Sequence, residues 1–206
     1  AHLNREKAAQ SARVVNISVP GYNTVMEVEM LKEKGLQYHP KLVLIHFVEN
    51  DLWLPNFVCQ ESPDSQLTRS YLLSAVSRCF GGNLKTEPFG RLAHSPRNVP
   101  KKYENMVGEK ACLGALKELC ALGGRHGFKV VLVTNWEVPL FIREAAKETG
   151  VSIIELGPAI NEYCRNHGID QFQGSVLTVG KNDPHYSALA HDLVCNRILG
   201  FLQEKK

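Results

Sequence analysis

"KLVLIHFV", residues 41–48, is an apolar run interrupted after Lys41 only by His46. Its length suits a strand rather than a helix. A strand apolar at successive positions is buried on both faces, and that is the habit of a parallel sheet held between helices. "KVVLVTN" (129–135) and the shorter "VSIIEL" (151–156) read the same way. Upstream, "RVVNISV" (13–19) predicts another strand, closed by Pro20-Gly21. Helical period fills the intervals. Thr24, with Glu27 three residues on, predicts a capping box, and Gly35 is expected to stop that helix. Residues 1–11 read as a helix end. Residues 104–126 form a long helix running into Gly-Gly-Arg-His-Gly. Shorter helices follow at 139–149 and 158–167, and a last one runs from about Ser187 to Gln203. Strand alternating with helix predicts an α/β fold with a covered parallel sheet.

A chain of 206 residues suffices for one domain with a substantial core. Within it, residues 54–103 carry most of the prolines and a helical island, "LTRSYLLSAVSRCF" (67–80). An insertion of that length reads as a lid or specificity element. A net charge of +3 is too mild to argue for nucleic acid. Six cysteines, with no C-x-x-C pair, exclude the usual zinc spacing and any evident disulfide framework. Cys112, Cys120 and Cys195 lie in apolar helical contexts and read as buried free thiols. Unpaired cysteines lean toward a reducing, cytoplasmic compartment. No run is long enough to span a membrane as a helix, and no cofactor or metal is expected.

Ligands of an open parallel sheet bind outside the carboxyl ends of its strands. After the first strand stands Pro20-Gly21-Tyr22-Asn23-Thr24, and after the second Val48-Glu49-Asn50-Asp51. Asn135-Trp136-Glu137 follows the third, and Asn182-Asp183-Pro184-His185 precedes the last helix. Singly, each has an ordinary reading. Gly21 suits a turn with positive φ, Asn50 a turn or cap, and Asp183 an N-cap. Together they set a carboxylate beside an imidazole where a ligand binds, as a general base requires. Asn50 has an amide able to donate to an oxyanion. Trp53 and Trp136 are candidate substrate-contacting aromatics, and Trp53, Leu54, Phe57, Tyr71 and Leu72 candidate lid residues. His46 reads as a satisfied core histidine. His191 is expected on the same helix as His185 but on another face, and His39, His94, His126 and His167 in turns.

"NISVPGYNT" (16–24), "VLIHFVENDLW" (43–53) and "DPHYSALAHDLVCNRIL" (183–199) resemble three of the four blocks of the SGNH (GDSL-like) hydrolases. The resemblance runs from Val14 to Leu199. It implies a three-layer α/β/α, flavodoxin-like fold and acyl-enzyme ester hydrolysis. It carries over Gly21 and Asn50 as oxyanion donors and His185 as the base, with Asp183 the best orienting acid. The family more often has its Asp three residues before the His, where this chain has Asn182. Val48, Tyr186 and Ala190 also depart from the usual pattern.

The nucleophile block, Gly-Asp-Ser at the end of a first strand, has no counterpart. Pro63-Asp64-Ser65 follows the Asn block and no apolar strand precedes it. The chain is therefore expected to begin inside the family's first helix, with the central nucleophile strand absent. Each backbone group orphaned by that loss costs about 1–3 kcal/mol, against a domain stability of about 5–15 kcal/mol. The expected substrate is a small-molecule or glycan ester. An O-acyltransferase is a competing activity. A binding module derived from the fold, holding an acyl or glycan group without turnover, is a competing class. A flavodoxin-like phosphate binder lacks its loop, because Gly123-Gly124-Arg125-His126-Gly127 sits between a helix and the following strand.

Overall fold

The computed structural model describes residues 13–55, 58, 94–95 and 99–204. The predicted helix end at 1–11, the island at 67–80, Pro63-Asp64-Ser65, Phe57, Tyr71, Leu72, Cys59 and Cys79 lie outside the described residues. In chain order the elements are α1 (Thr24–Met30), β1 (Leu42–Phe47), β2 (Leu54–Pro55), β3 (His94–Ser95), α2 (Gly108–His126), β4 (Lys129–Thr134), α3 (Leu140–Thr149), β5 (Ser152–Glu155), α4 (Gly157–Asn166), β6 (Thr178–Gly180), β7 (Asp183–Tyr186) and α5 (Ala188–Glu204). The chain is mixed α/β and divides into two compact units. One holds Ala1–Asn16, Lys41–Phe47 and Phe128–Lys206, and the other Ile17–Pro40 and Val48–Gly127.

The first unit is built on a parallel sheet in the order β1-β4-β5. Leu44 pairs with Val131, His46 with Val133, and Val133 in turn with Ile154. Leu156 extends the ladder by donating its N–H to the Thr134 carbonyl. Val131, Val133, Ile154 and Leu156 present one face, against which Val194, Ile198 and Phe201 of α5 pack, with Leu42. On the opposite face Phe47 meets Phe141 of α3 edge to face, ring centres 6.2 Å apart. A second core joins Ile160 of α4, Leu177 and Ala190 of α5, with Phe172 and Tyr186 packed on it.

The three predicted apolar strands form where expected, but β1 is not buried on both faces. It is an edge strand among the described residues. Leu44 is 41 % exposed, and His46, on the same face, is exposed too and is no core histidine. The buried cluster that α5 covers is made by β4, β5 and Leu156, and of β1 only Leu42 is packed against it. Residues 13–19 join no sheet ladder among the described residues, and Val14, Val15 and Val19 are exposed, so the predicted strand there is not a strand. A strand needs a neighbour to pair with, and sequence preference alone does not supply one.

In the second unit α1 packs with α2, burying Val28 and Leu31 from one side and Cys112, Ala115, Leu116 and Leu119 from the other. The N-cap of α1 is Asn23, one residue before the predicted Thr24. Its Oδ1 accepts the Met26 N–H at 3.0 Å, and its Nδ2 donates to the Met106 carbonyl at 2.8 Å. Nor does Gly35 stop the helix. The chain continues through a wide π-helical turn, Leu31–Gly35, and a 3-10 turn, Leu36–Tyr38. It ends at His39, which takes a left-handed conformation, φ 48°. Gly35 serves close approach instead: a Cβ there would stand 2.5 Å from Leu31 Cδ1 and 2.9 Å from Ile17 Cδ1. Lys32 ties the helices by reaching Glu29 at 2.6 Å and Glu118 at 2.8 Å. No helix among the described residues is long and apolar enough to cross a membrane.

Candidate active site

Asp183 and His185 lie not in a pre-helical loop but on β7, paired antiparallel with β6. The expected N-cap role of Asp183 falls instead to Ser187, whose Oγ accepts the Ala190 N–H at 3.3 Å. Hence His185 is on a strand and only His191 on α5, where the latter's ring meets Tyr186 edge to face at 5.8 Å. His94 is likewise in a short strand, opposite Pro55, rather than in a turn.

The hairpin register is irregular. Thr178 pairs with Tyr186 and Gly180 with Asp183. Two residues, Pro184 and His185, therefore oppose the single Val179. This is a bulge, a device that bends a strand and re-aims a side chain. Asp183 Oδ1 accepts the His185 backbone N–H at 3.0 Å and lies 2.6 Å from His185 Nδ1. Adjacent same-face residues of a regular strand would be spread apart by the rise of two residues. The bulge and the local side-chain-to-backbone turn draw the pair together. A separation of two residues thus suffices for the contact.

The backbone N–H and then the imidazole, both bonding to Asp183, hold its carboxyl below the usual aspartate range. An ionised carboxylate only accepts, so the proton between the two belongs to Nδ1. Nε2 is left with its lone pair. With the His185 side chain 81 % exposed, that lone pair is open to a proton donor.

Gly21 occupies the third position of a turn in which the Tyr22 N–H reaches the Val19 carbonyl at 3.2 Å. Its φ of 84° is the left-handed value such a turn demands after Pro20. Asn50 is exposed in the 3-10 turn Glu49–Leu52. Gly21, Asn50 and the half-buried Trp53 belong to one unit, and Asp183, His185 and Trp136 to the other. Trp136 is 43 % exposed at the carboxyl end of β4, its ring set against Phe172 at 5.5 Å. Phe172 in turn meets Tyr186 at 5.6 Å, so a row of aromatic rings links Trp136 to the residue following His185.

Three features escape a reading of the sequence. The hairpin itself is one, its strands being short and one containing Pro184. The second is a bond between His46 Nε2 and Asn135 Oδ1, 2.8 Å, across the carboxyl ends of β1 and β4. The third is an acidic pair in the second unit. Burial, with the negative charge of Asp51 adding, pushes Glu27 up to about 8. Burial pushes Asp51 up to about 7, opposed by the Val48 N–H that Oδ2 accepts at 2.8 Å. Glu27 Oε2 is buried and meets no hydrogen-bond donor among the described residues. Cys112, 1 % exposed, has its thiol pushed up to about 11, chiefly by burial. It is therefore not a nucleophile at neutral pH. Of the other two cysteines expected to be buried, Cys120 and Cys195 are only partly so.

Compared with known proteins, the chain matches no protein-family model, no curated protein and no solved structure.

Proposed function

We propose that the chain carries the base and the oxyanion donors of an SGNH-type serine ester hydrolase. The observation that carries this reading is the Asp183–His185 pair, held by two bonds that leave Nε2 pointing to no partner among the described residues. His185 Nε2 takes the proton of a serine hydroxyl as its oxygen attacks the ester carbonyl. The same proton then passes to the departing alcohol, leaving an acyl-enzyme that water resolves. Asp183 keeps the imidazole in the required tautomer and stabilises the imidazolium. The Gly21 N–H and the Asn50 amide donate to the carbonyl oxygen as it becomes an oxyanion.

The reading puts the serine on a further strand that pairs with β1, an edge strand among the described residues, in a three-layer flavodoxin-like sheet. The exposed Leu44 and the parallel β1-β4-β5 order support that assignment. An intact, bonded dyad favours an enzyme over a binding module.

The test begins with the natural reading frame ahead of Ala1. A protein including that frame is assayed on short-chain aryl esters and with a serine-directed fluorophosphonate probe. The expected outcome is hydrolysis abolished by the probe and lowered at least about 10³-fold in His185→Ala. A frame lacking a serine at a strand end, or hydrolysis indifferent to His185, would overturn the reading.

A further inference from the structure

Among the described residues, Thr178 is the one buried side chain whose polar atom spans the hairpin that carries the Asp183–His185 pair. Only 6 % exposed, it sits on β6 with its backbone paired to Tyr186, the residue after His185. Its Oγ1 accepts the Gly174 N–H at 3.1 Å. Its hydroxyl proton has two carbonyls within reach, Ser175 at 3.1 Å and Gly180 at 3.3 Å. Gly180 is the partner of Asp183. One side chain therefore stands at both rungs that bracket the bulge.

Its setting is rigid. The Thr178 N–H is already committed to the Ser175 carbonyl at 3.1 Å. Ser175 Oγ donates to the Phe172 carbonyl at 2.7 Å and accepts the Leu177 N–H at 3.1 Å. Gly174, with φ 76°, lies against Lys181 in the hairpin turn, where a Cβ would touch the Lys181 backbone at 3.6 Å. On the other strand, Ser187 donates to the Val176 carbonyl at 2.7 Å. The 172–178 segment is thus a preformed brace, and the Thr178 hydroxyl is where it meets the turn leading into Asp183.

We propose that Thr178 is a positioning residue for the Asp183–His185 pair, its hydroxyl fixing the β6–β7 bulge that folds His185 Nδ1 back onto Asp183. Its relevance to catalysis rests on the hydrolase reading; its structural effect does not. Without the hydroxyl, the Gly180 carbonyl loses this contact and the Gly174 N–H loses its acceptor. The turn is then free to relax toward regular pairing. Relaxation separates Asp183 from His185, because regular register carries the two apart along the strand.

The experiment is NMR on the 206-residue chain with Thr178→Val, which keeps the shape and removes the hydroxyl, and Thr178→Ser, which keeps the hydroxyl. The Asp183 carboxyl titration and the His185 ring-nitrogen shifts are followed together. Thr178→Val is expected to raise the Asp183 midpoint toward the ordinary aspartate value and to lose the single Nδ1–H tautomer of His185. Thr178→Ser is expected to retain both. A Thr178→Val protein with wild-type signals overturns the proposal. Should that variant fail to fold, Thr178→Ser decides: wild-type dyad signals uphold the role of the hydroxyl, and disturbed ones overturn it. Neither readout needs esterase activity, so dyad signals that respond as expected, in the 206-residue chain, would leave this proposal standing even if the protein that includes the frame ahead of Ala1 showed no serine-dependent hydrolysis, the result that removes the hydrolase reading.

Discussion

Two residues set two apart along a strand can bond side chain to side chain, provided the backbone between them is bent. In Asp183-Pro184-His185 the adjacency was visible in the sequence and the bend was not. A bulge depends on the opposite strand, here on Thr178 and Gly180, whose pairing no local pattern announces. Glu27 shows the same limit from the other side. By sequence it is the acid of a capping box at the start of a helix. Folded, it is enclosed with Asp51, and its protonation follows from that burial. Glu27 is raised from 4.5 to about 8 and Asp51 from 3.8 to about 7. The folded state therefore binds more protons than the unfolded state between these values. The contribution of this pair to stability is fully present at acid pH and is lost as pH rises from about 4 through about 8. Glu27→Gln, neutral throughout, is expected to match the parent at pH 5 and to exceed it by about 1–3 kcal/mol at pH 9. Urea melts at the two pH values test this; a parent equally stable at both shows that the pair is ionised or absent.

At the scale of elements, legibility tracked how far each pattern was local. The strands β1, β4 and β5 stood out as continuous apolar runs. The helices α2 to α5 declared themselves by period and by glycines such as Gly127 and Gly150, left-handed at φ 72° and 70°. Residues 13–19 had the composition of a strand without a described strand to pair with. Gly35 was misread because a glycine at the end of a helical pattern suggests a stop, whereas here it marks contact with Leu31 and Ile17. The distinction is testable. Ala in place of Gly gains about 1 kcal/mol of helix propensity, and overpacking costs about 1–3 kcal/mol. Leu31 is buried at 5 % exposure and has little room to swing aside. Packing is therefore expected to win, and Gly35→Ala to be destabilised by about 1 kcal/mol in denaturant melts. A gain in stability would mean that the contact yields freely.

For the whole molecule, the consequential feature is the edge at β1. Six residues of parallel strand end the described sheet on that side, with Leu44 41 % exposed. Open edges of apolar strands invite pairing with other chains. The 206-residue chain is expected to self-associate with rising concentration, and Leu44→Lys to suppress this without lowering the melting temperature. Light scattering across a dilution series decides; association unchanged by the lysine places the sticky surface elsewhere. Cys112 offers a different kind of access to the same molecule. The residue is 1 % exposed and its thiol is pushed up to about 11. An alkylating reagent at neutral pH consequently reaches it only when the packing of α1 on α2 opens. The partly exposed Cys120, Cys164 and Cys195 react without waiting. The lag between fast and slow labelling becomes a clock for the breathing of one unit, read by mass spectrometry on the unmodified natural sequence.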